Sequence, residues 1–148
     1  MNTTDMKKKV LTDEMIAAID IELAKFPADR KRSASLSALR IVQELGEGWV
    51  SESQMDAIAD CLSLPPIAIY EVASFYTMCQ RSPVGRYNIC VCTNLSCSLR
   101  HSQEMVDHLQ KRLNIGFGET TPDGQFSLEE VECLGACIAA PVIQIGKK

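Results

Sequence analysis

Apolar residues recur at helical spacing through the first half of the chain and at strand spacing through much of the second. Thr12 precedes Asp13-Glu14, and Met15, Ile16, Ile19, Leu23 and Phe26 then form one stripe. This predicts an amphipathic helix with carboxylates at its positive end, stopped at Pro27. A second helix is predicted from about Arg30 to Leu45 on Leu36, Leu39, Ile41, Val42 and Leu45, ending at Gly46. Gly46-Glu47-Gly48 reads as a turn, because no strand precedes it as a phosphate loop requires. Ser51 and Gln54 fit a capping box opening a third helix to about Leu62. Pro65-Pro66 opens a fourth, packed through Ile67, Tyr70, Val72, Phe75 and Tyr76. Trp49, Phe75 and Tyr76 read as core or interface aromatics.

The period changes after the linker from Gln80 to Gly85. Arg86 to Cys92 is apolar and β-rich, and a helix is predicted from about Leu99 to Leu113 on Met105, Val106, Leu109 and Leu113. Pro122-Asp123-Gly124 marks a turn, followed by strands at Phe126 to Cys133 and Pro141 to Ile145. Strand–helix–strand implies parallel pairing of the first two strands through a right-handed crossover. The chain thus divides into a helical domain over residues 1–80 and an α/β domain over residues 81–148.

The formal net charge of −4 argues against a general nucleic-acid binder, which carries a basic face. The basic run Arg30-Lys31-Arg32, with Arg40 beyond it, reads as a solvated helix start or as a docking patch for an acidic partner. No apolar run approaches the roughly 20 residues of a membrane span. Met1 to Lys9 has no apolar segment after its charges, so nothing marks secretion.

The chemistry lies in the cysteines, of which there are seven. Cys92-x4-Cys97 and Cys133-x3-Cys137 form two close pairs separated by the predicted helix and strand. Disulfides suit neither the odd count nor the lack of secretion signals. Structural zinc accepts four thiolates, but its knuckles more often run C-x2-C. A two-iron, two-sulfide (2Fe–2S) cluster takes two thiolates per iron, which matches two separate pairs. Position 100, where a plant-type run needs a third cysteine, is Arg100. The 2Fe–2S reading is the best of the three, with a zinc-stabilised interaction module the alternative from another class.

Cys61, Cys79 and Cys90 read as small apolar packing residues. His101 and His108 read as solvent-facing helix residues. No nucleophile–base arrangement surrounds the cysteines, so no catalytic residue is expected. There is also no G-x-G-x-x-G after a strand and no Walker lysine. Around the paired thiols, three aids are expected. Cys97 lies before a helix whose positive end tolerates anionic charge. Gly135 allows close backbone approach, and Asn94 and Ser96 add hydrogen bonds.

Four stretches carry a family resemblance: Glu71-Val-Ala-Ser-Phe-Tyr-Thr-Met-Cys79, Val91-Cys-Thr-Asn-Leu-Ser-Cys97, Gly118-Glu-Thr-Thr-Pro-Asp-Gly-Gln-Phe126 and Val131-Glu-Cys-Leu-Gly-Ala-Cys137. In this order they resemble the thioredoxin-like 2Fe–2S ferredoxin subunits of bacterial NADH-quinone oxidoreductase, a family found in the peripheral arm of complex I. The resemblance implies an α+β/α/β chain, a helical bundle followed by a thioredoxin-like ferredoxin domain. It matches Cys92, Cys97, Cys133 and Cys137 to the cluster ligands and implies electron transfer from a flavoprotein partner holding FMN and NADH. It also implies a cytoplasmic place beside the membrane, reached only through the complex. Small subunits of NAD-linked hydrogenases and formate dehydrogenases share these motifs and are the nearest alternative. Relatives continue into a further C-terminal helix, whereas this sequence stops at Lys148. An uncovered apolar sheet face and a loose last strand are therefore expected.

Overall fold

A computed structural model describes residues 10–146. The readings placed on Met1 to Lys9 and on Lys147-Lys148 lie outside the described residues. The chain forms two compact units, divided between Pro83 and Val84.

The helical unit opens with α1, Asp13–Leu23. Thr12 Oγ1 accepts the Met15 N–H at 3.2 Å, satisfying one of the donors that a helix start leaves open. The next helix starts more tightly than the sequence predicts. Arg30 offers no side-chain cap, and residues Lys31–Ala34 form a 3-10 turn before α2, Ser35–Leu45. The Ser33 N–H reaches the Arg30 carbonyl at 3.0 Å, the shorter-range bond that serves an uncapped end. Helix α2 ends where expected, at Gly46. A Cβ there would sit 2.7 Å from the Val42 carbonyl oxygen, so the stop requires glycine.

Helix α3, Glu52–Leu62, carries the full capping box. The Gln54 N–H donates to Ser51 Oγ at 3.3 Å, and the Ser51 N–H donates to Gln54 Oε1 at 2.9 Å. Helix α4, Pro66–Phe75, places Pro66 in its first turn. The core is built on Ile19, Leu39, Val42, Ile58, Leu62 and Ile69, with Ala38, Ala59 and Ala73 where small side chains let the packing close. Here the sequence reading needs correction. Helix α4 packs through Ala68, Ile69 and Ala73, with Tyr70 and Val72 partly buried against the core as expected, whereas Ile67, Phe75 and Tyr76 are exposed, the first two at 64% and 78%. At about 100° per residue, Ile67 and Phe75 are turned well away from Ile69 and Ala73, so hydrophobicity alone misassigned these two.

The second unit is a mixed four-stranded sheet in the order β2-β3-β1-β4. Strand β1, Tyr87–Cys92, runs parallel to β3, Phe126–Val131, with partners from Tyr87↔Phe126 to Cys92↔Val131. Strand β4, Ile143–Ile145, lies antiparallel to β1. The short β2, Glu119–Thr120, pairs antiparallel with β3 and was not legible in the sequence. Its two residues are exposed and polar, giving no apolar alternation to read.

The predicted helix from Leu99 is two elements. A single turn, α5 (Leu95–Ser98), is separated from α6 (Ser102–Leu113) by His101 in the left-handed region at φ 65°. Val106 of α6 is buried with Ile89, Val91 and Leu128 of the sheet and with Ile115. His101 and His108 are exposed, as the sequence suggests.

Strand alternation and register put Ile143 and Ile145 on the side of Val91 and Ile89. They are 37% and 42% exposed. The opposite side carries Asn88, Cys90, Ser127, Glu129 and Gln144. The exposed apolar area expected on the sheet therefore reduces, on β4, to two isoleucines of an edge strand. Among the described residues, no helix is long and apolar enough to cross a membrane.

Ser51→Ala should cost about 1 kcal/mol. It should appear as a lower denaturant midpoint with an unchanged m-value. Gly46→Ala should cost more, because its methyl group must displace a backbone carbonyl.

Candidate metal centre

Parallel strands end at the same edge of a sheet, so the loops that follow them emerge together. Cys92 is the last residue of β1, and Cys133 lies two residues beyond the end of β3. Cys97 sits inside α5 and Cys137 opens the 3-10 turn Cys137–Ala139. Pairing of β1 with β3 therefore brings all four cysteines to one edge of the sheet.

The pairs differ in exposure. Cys92 and Cys97 are 3% and 1% exposed and pack with Ala140 under Val131, Leu134 and Val142. Cys133 and Cys137 are exposed. The Cys92 and Cys97 thiols hydrogen-bond to one another, and Cys137 lies close enough to Cys97 for its charge to be felt there.

Backbone N–H groups are aimed at these sulfurs. Burial works to raise the Cys92 thiol, yet the N–H groups of Asn94 and Leu134 and the Cys97 thiol together hold it below its ordinary value. Cys97 is raised by burial and by the Cys92 thiol beside it, against an opposing hydrogen bond from the Val142 N–H. The Gly135 N–H donates to Cys133 Sγ at 3.3 Å.

Among the described residues, no three His, Cys, Asp or Glu side chains converge tightly enough to hold one ion. The thiols stand as a contacting buried pair and an exposed pair. A 2Fe–2S cluster takes two thiolates at each of two irons. The donor set fits the cluster: soft thiolates supply the bonds, and backbone dipoles offset the anionic charge on sulfur.

Two details differ from the sequence reading. Cys97 lies within a four-residue helix, so individual N–H groups near the sulfurs replace the expected dipole of a long helix. Asn94 contributes through its backbone, because its side-chain oxygen accepts the Leu95 N–H at 2.7 Å and caps α5. Gly135 adopts φ +69°, a conformation that itself favours glycine. Leu134 and Val142 were not foreseen as contributors. A backbone donor leaves no mark in residue type, and only adjacency to a ligand cysteine points to Leu134.

Cys90 shares the sheet side of Cys92 but has different surroundings. Burial, the Glu129 charge and a 3.8 Å contact to Glu129 Oε2 push its thiol up to about 11. It therefore stays protonated at neutral pH, unlike a metal ligand. Cys79 is buried and raised by that burial, and Cys61 is half-buried in α3.

A family model described as thioredoxin-like [2Fe-2S] ferredoxin matches residues 19–148, and the chain belongs to that family. It is 46% identical over 123 residues to an NADH-quinone oxidoreductase subunit of Rickettsia typhi, covering 83% of this chain and 72% of that one. It is 42% identical over 134 residues to mitochondrial NADH dehydrogenase [ubiquinone] flavoprotein 2 of Dictyostelium discoideum, covering 90% of this chain and 54% of that protein. The chain thus spans about half of the Dictyostelium relative. An NADH-quinone oxidoreductase subunit of Thermus thermophilus is 45% identical over 82% of this chain and 67% of that one. Among solved structures, an NAD+-reducing [NiFe]-hydrogenase in the H2-reduced state is similar at a TM-score of 0.61 and 25% identity. The match covers 75% of this chain and 18% of that one.

Exposure should dominate thiol reactivity in the cluster-free chain. Iodoacetamide should modify Cys133 and Cys137 at least about tenfold faster than Cys92 and Cys97, because the buried pair reacts only after local opening. Peptide mapping of a time course checks this, and equal rates would show that the buried pair opens freely.

Proposed function

We propose that this chain is the electron-transfer subunit of an NADH-oxidising complex and carries one 2Fe–2S cluster on Cys92, Cys97, Cys133 and Cys137. The observation that carries the reading is the delivery of two cysteine pairs to one sheet edge by the parallel β1–β3 pair, with backbone N–H groups aimed at the sulfurs.

The chain's own residues have three tasks. Cys92 and Cys97 anchor the buried side. The N–H groups of Asn94, Leu134, Val142 and Gly135 offset negative charge on the thiolates, which sets how readily the site tolerates one more electron. Cys133 and Cys137 leave one edge open to an approaching redox partner. When bound, the cluster supplies a one-electron carrier. The sequence has no dinucleotide fingerprint, so FMN and NADH belong to a flavoprotein partner in this reading. Identities of 42–46% to NADH dehydrogenase subunits favour NADH-quinone oxidoreductase as the parent complex. Such a chain reaches the cytoplasmic face of the membrane only through its complex. The hydrogenase likeness supports a second reading, the equivalent subunit of an NAD-linked hydrogenase.

Iron and acid-labile sulfide should each approach about two per chain after anaerobic purification, with the red-brown absorption that a zinc protein lacks. Cys133→Ala should lose the cluster, and full occupancy in that variant overturns the ligand assignment. Cys61→Ala and Cys79→Ala should leave the visible spectrum unchanged.

NADH should reduce the site only after the cognate flavoprotein subunit is added. Rapid reduction of the chain alone would reveal a nucleotide site that the sequence does not display.

A further inference from the structure

The β1–β3 ladder fades where the cysteine loops begin. Its last register pair is Cys92↔Val131. One step beyond, the Thr93 N–H reaches the Val131 carbonyl at 3.4 Å, longer than an ordinary backbone bond. A side-chain bond takes over at that point. Thr93 Oγ1 donates to Glu130 Oε1 at 2.7 Å, a length typical of a hydroxyl bound to a charged carboxylate. Glu130 pairs in register with Val91, so this bond lies on the Val91 side of the sheet, whereas Cys92 and Val131 face the other way.

We infer that Thr93 and Glu130 are a positioning pair whose side-chain bond ties the loop leading to Cys97 to the end of β3 leading to Cys133, and so holds the two cysteine pairs in place. The inference rests on the reading of Cys92, Cys97, Cys133 and Cys137 as cluster ligands. Thr93 stands between Cys92 and Asn94, whose N–H is aimed at the Cys92 sulfur. Glu130 leads into Cys133 and Leu134, and the Leu134 N–H is aimed at the same sulfur. The bond therefore joins the two backbone segments that bring these donors to Cys92.

Burial does not explain the pair, because Glu130 is exposed and Thr93 only half-buried. Water competes for an exposed hydrogen bond, so its contribution to the stability of the whole unit is small. Its effect is local, at the last rung before the two loops part. A bond that served stability alone would lower the unfolding midpoint and leave the site unchanged. A positioning bond moves the site at a nearly constant midpoint.

The test uses the full chain with its cluster bound. Thr93→Val removes the hydroxyl while keeping shape and net charge, and Thr93→Ser keeps the hydroxyl. Three readouts are compared: visible circular dichroism of the oxidised cluster, the rate of iron release to a chelator, and the reduction potential. Thr93→Val should alter the dichroism and release iron about two- to fivefold faster, the scale of one cross-strand polar pair. It should also lower the potential, because weaker N–H donation at the Cys92 sulfur makes an added electron less welcome. Thr93→Ser should match wild type.

Glu130→Ala should release iron as fast as Thr93→Val, and the double variant no faster than either, since a single bond can be lost only once. Multiplied effects in the double variant overturn the inference. So does a Thr93→Val chain with unchanged dichroism and release, or a Thr93→Ser chain as defective as Thr93→Val. A Thr93→Val chain that takes up no iron while Thr93→Ser loads fully supports it. A wild-type chain that takes up no iron defeats the ligand reading and the positioning pair with it, whereas a loaded wild type with indifferent variants defeats the pair alone.

Discussion

The parallel register of β1 against β3 is the constraint from which the candidate site follows. Two strands hydrogen-bonded in the same direction release their next loops at the same edge, and both loops here carry cysteines. An antiparallel pairing of the same segments would send Cys92 and Cys133 to opposite ends of the sheet. Register matters as much as direction. A slip of one residue moves every side chain of a strand to the other face, and Cys92 would then leave the side it shares with Val131. What resists that slip is ordinary burial: Ile89, Val91 and Leu128 lie with Val106 of α6 in the core of this unit. The aliphatic residues hold the geometry, and the cysteines use it.

The same arrangement balances two opposed demands. A thiolate site must be shielded enough to be stable, and burial by itself disfavours the charged form. Cys92 and Cys97 lie in that shielded position, where N–H groups of neighbouring loop residues offset part of the cost without adding a side-chain cation. Cys133 and Cys137 take the other position, open to solvent. For an electron carrier, an exposed side of this kind shortens the distance to a partner.

Legibility in the sequence followed the kind of physics involved. The capping box at Ser51 and Gln54 and the stop at Gly46 were readable because they rest on short-range rules that residue type alone decides. The paired cysteines stood out for the same reason. The break at His101 was hidden, since a left-handed non-glycine residue has no strong sequence mark, and the predicted helix was started at Leu99. Leu99 is in fact 72% exposed. Glycine at position 135 signals both close approach and positive φ, which residue type alone does not separate; the fold shows φ at +69°. The N–H donors at Leu134 and Val142 depend on loop geometry and were beyond reach.

Exposed apolar side chains link the site to its surroundings. Leu95 and Leu99 flank Cys97 in sequence, and Ile138 follows Cys137; they are 69%, 72% and 102% exposed. These apolar residues stand beside two solvent-exposed thiols. A protein that covered them would remove water and strengthen every remaining electrostatic interaction at the sulfurs. Desolvation alone makes added negative charge costlier, so it would drive the reduction potential down. Donors or cations carried by the incoming surface would drive it up. The chain's N–H groups thus set a baseline, and the covering surface sets the direction of departure from it. On the proposed function, the potential of the site would be a property of the assembled interface, which this chain would determine only in part.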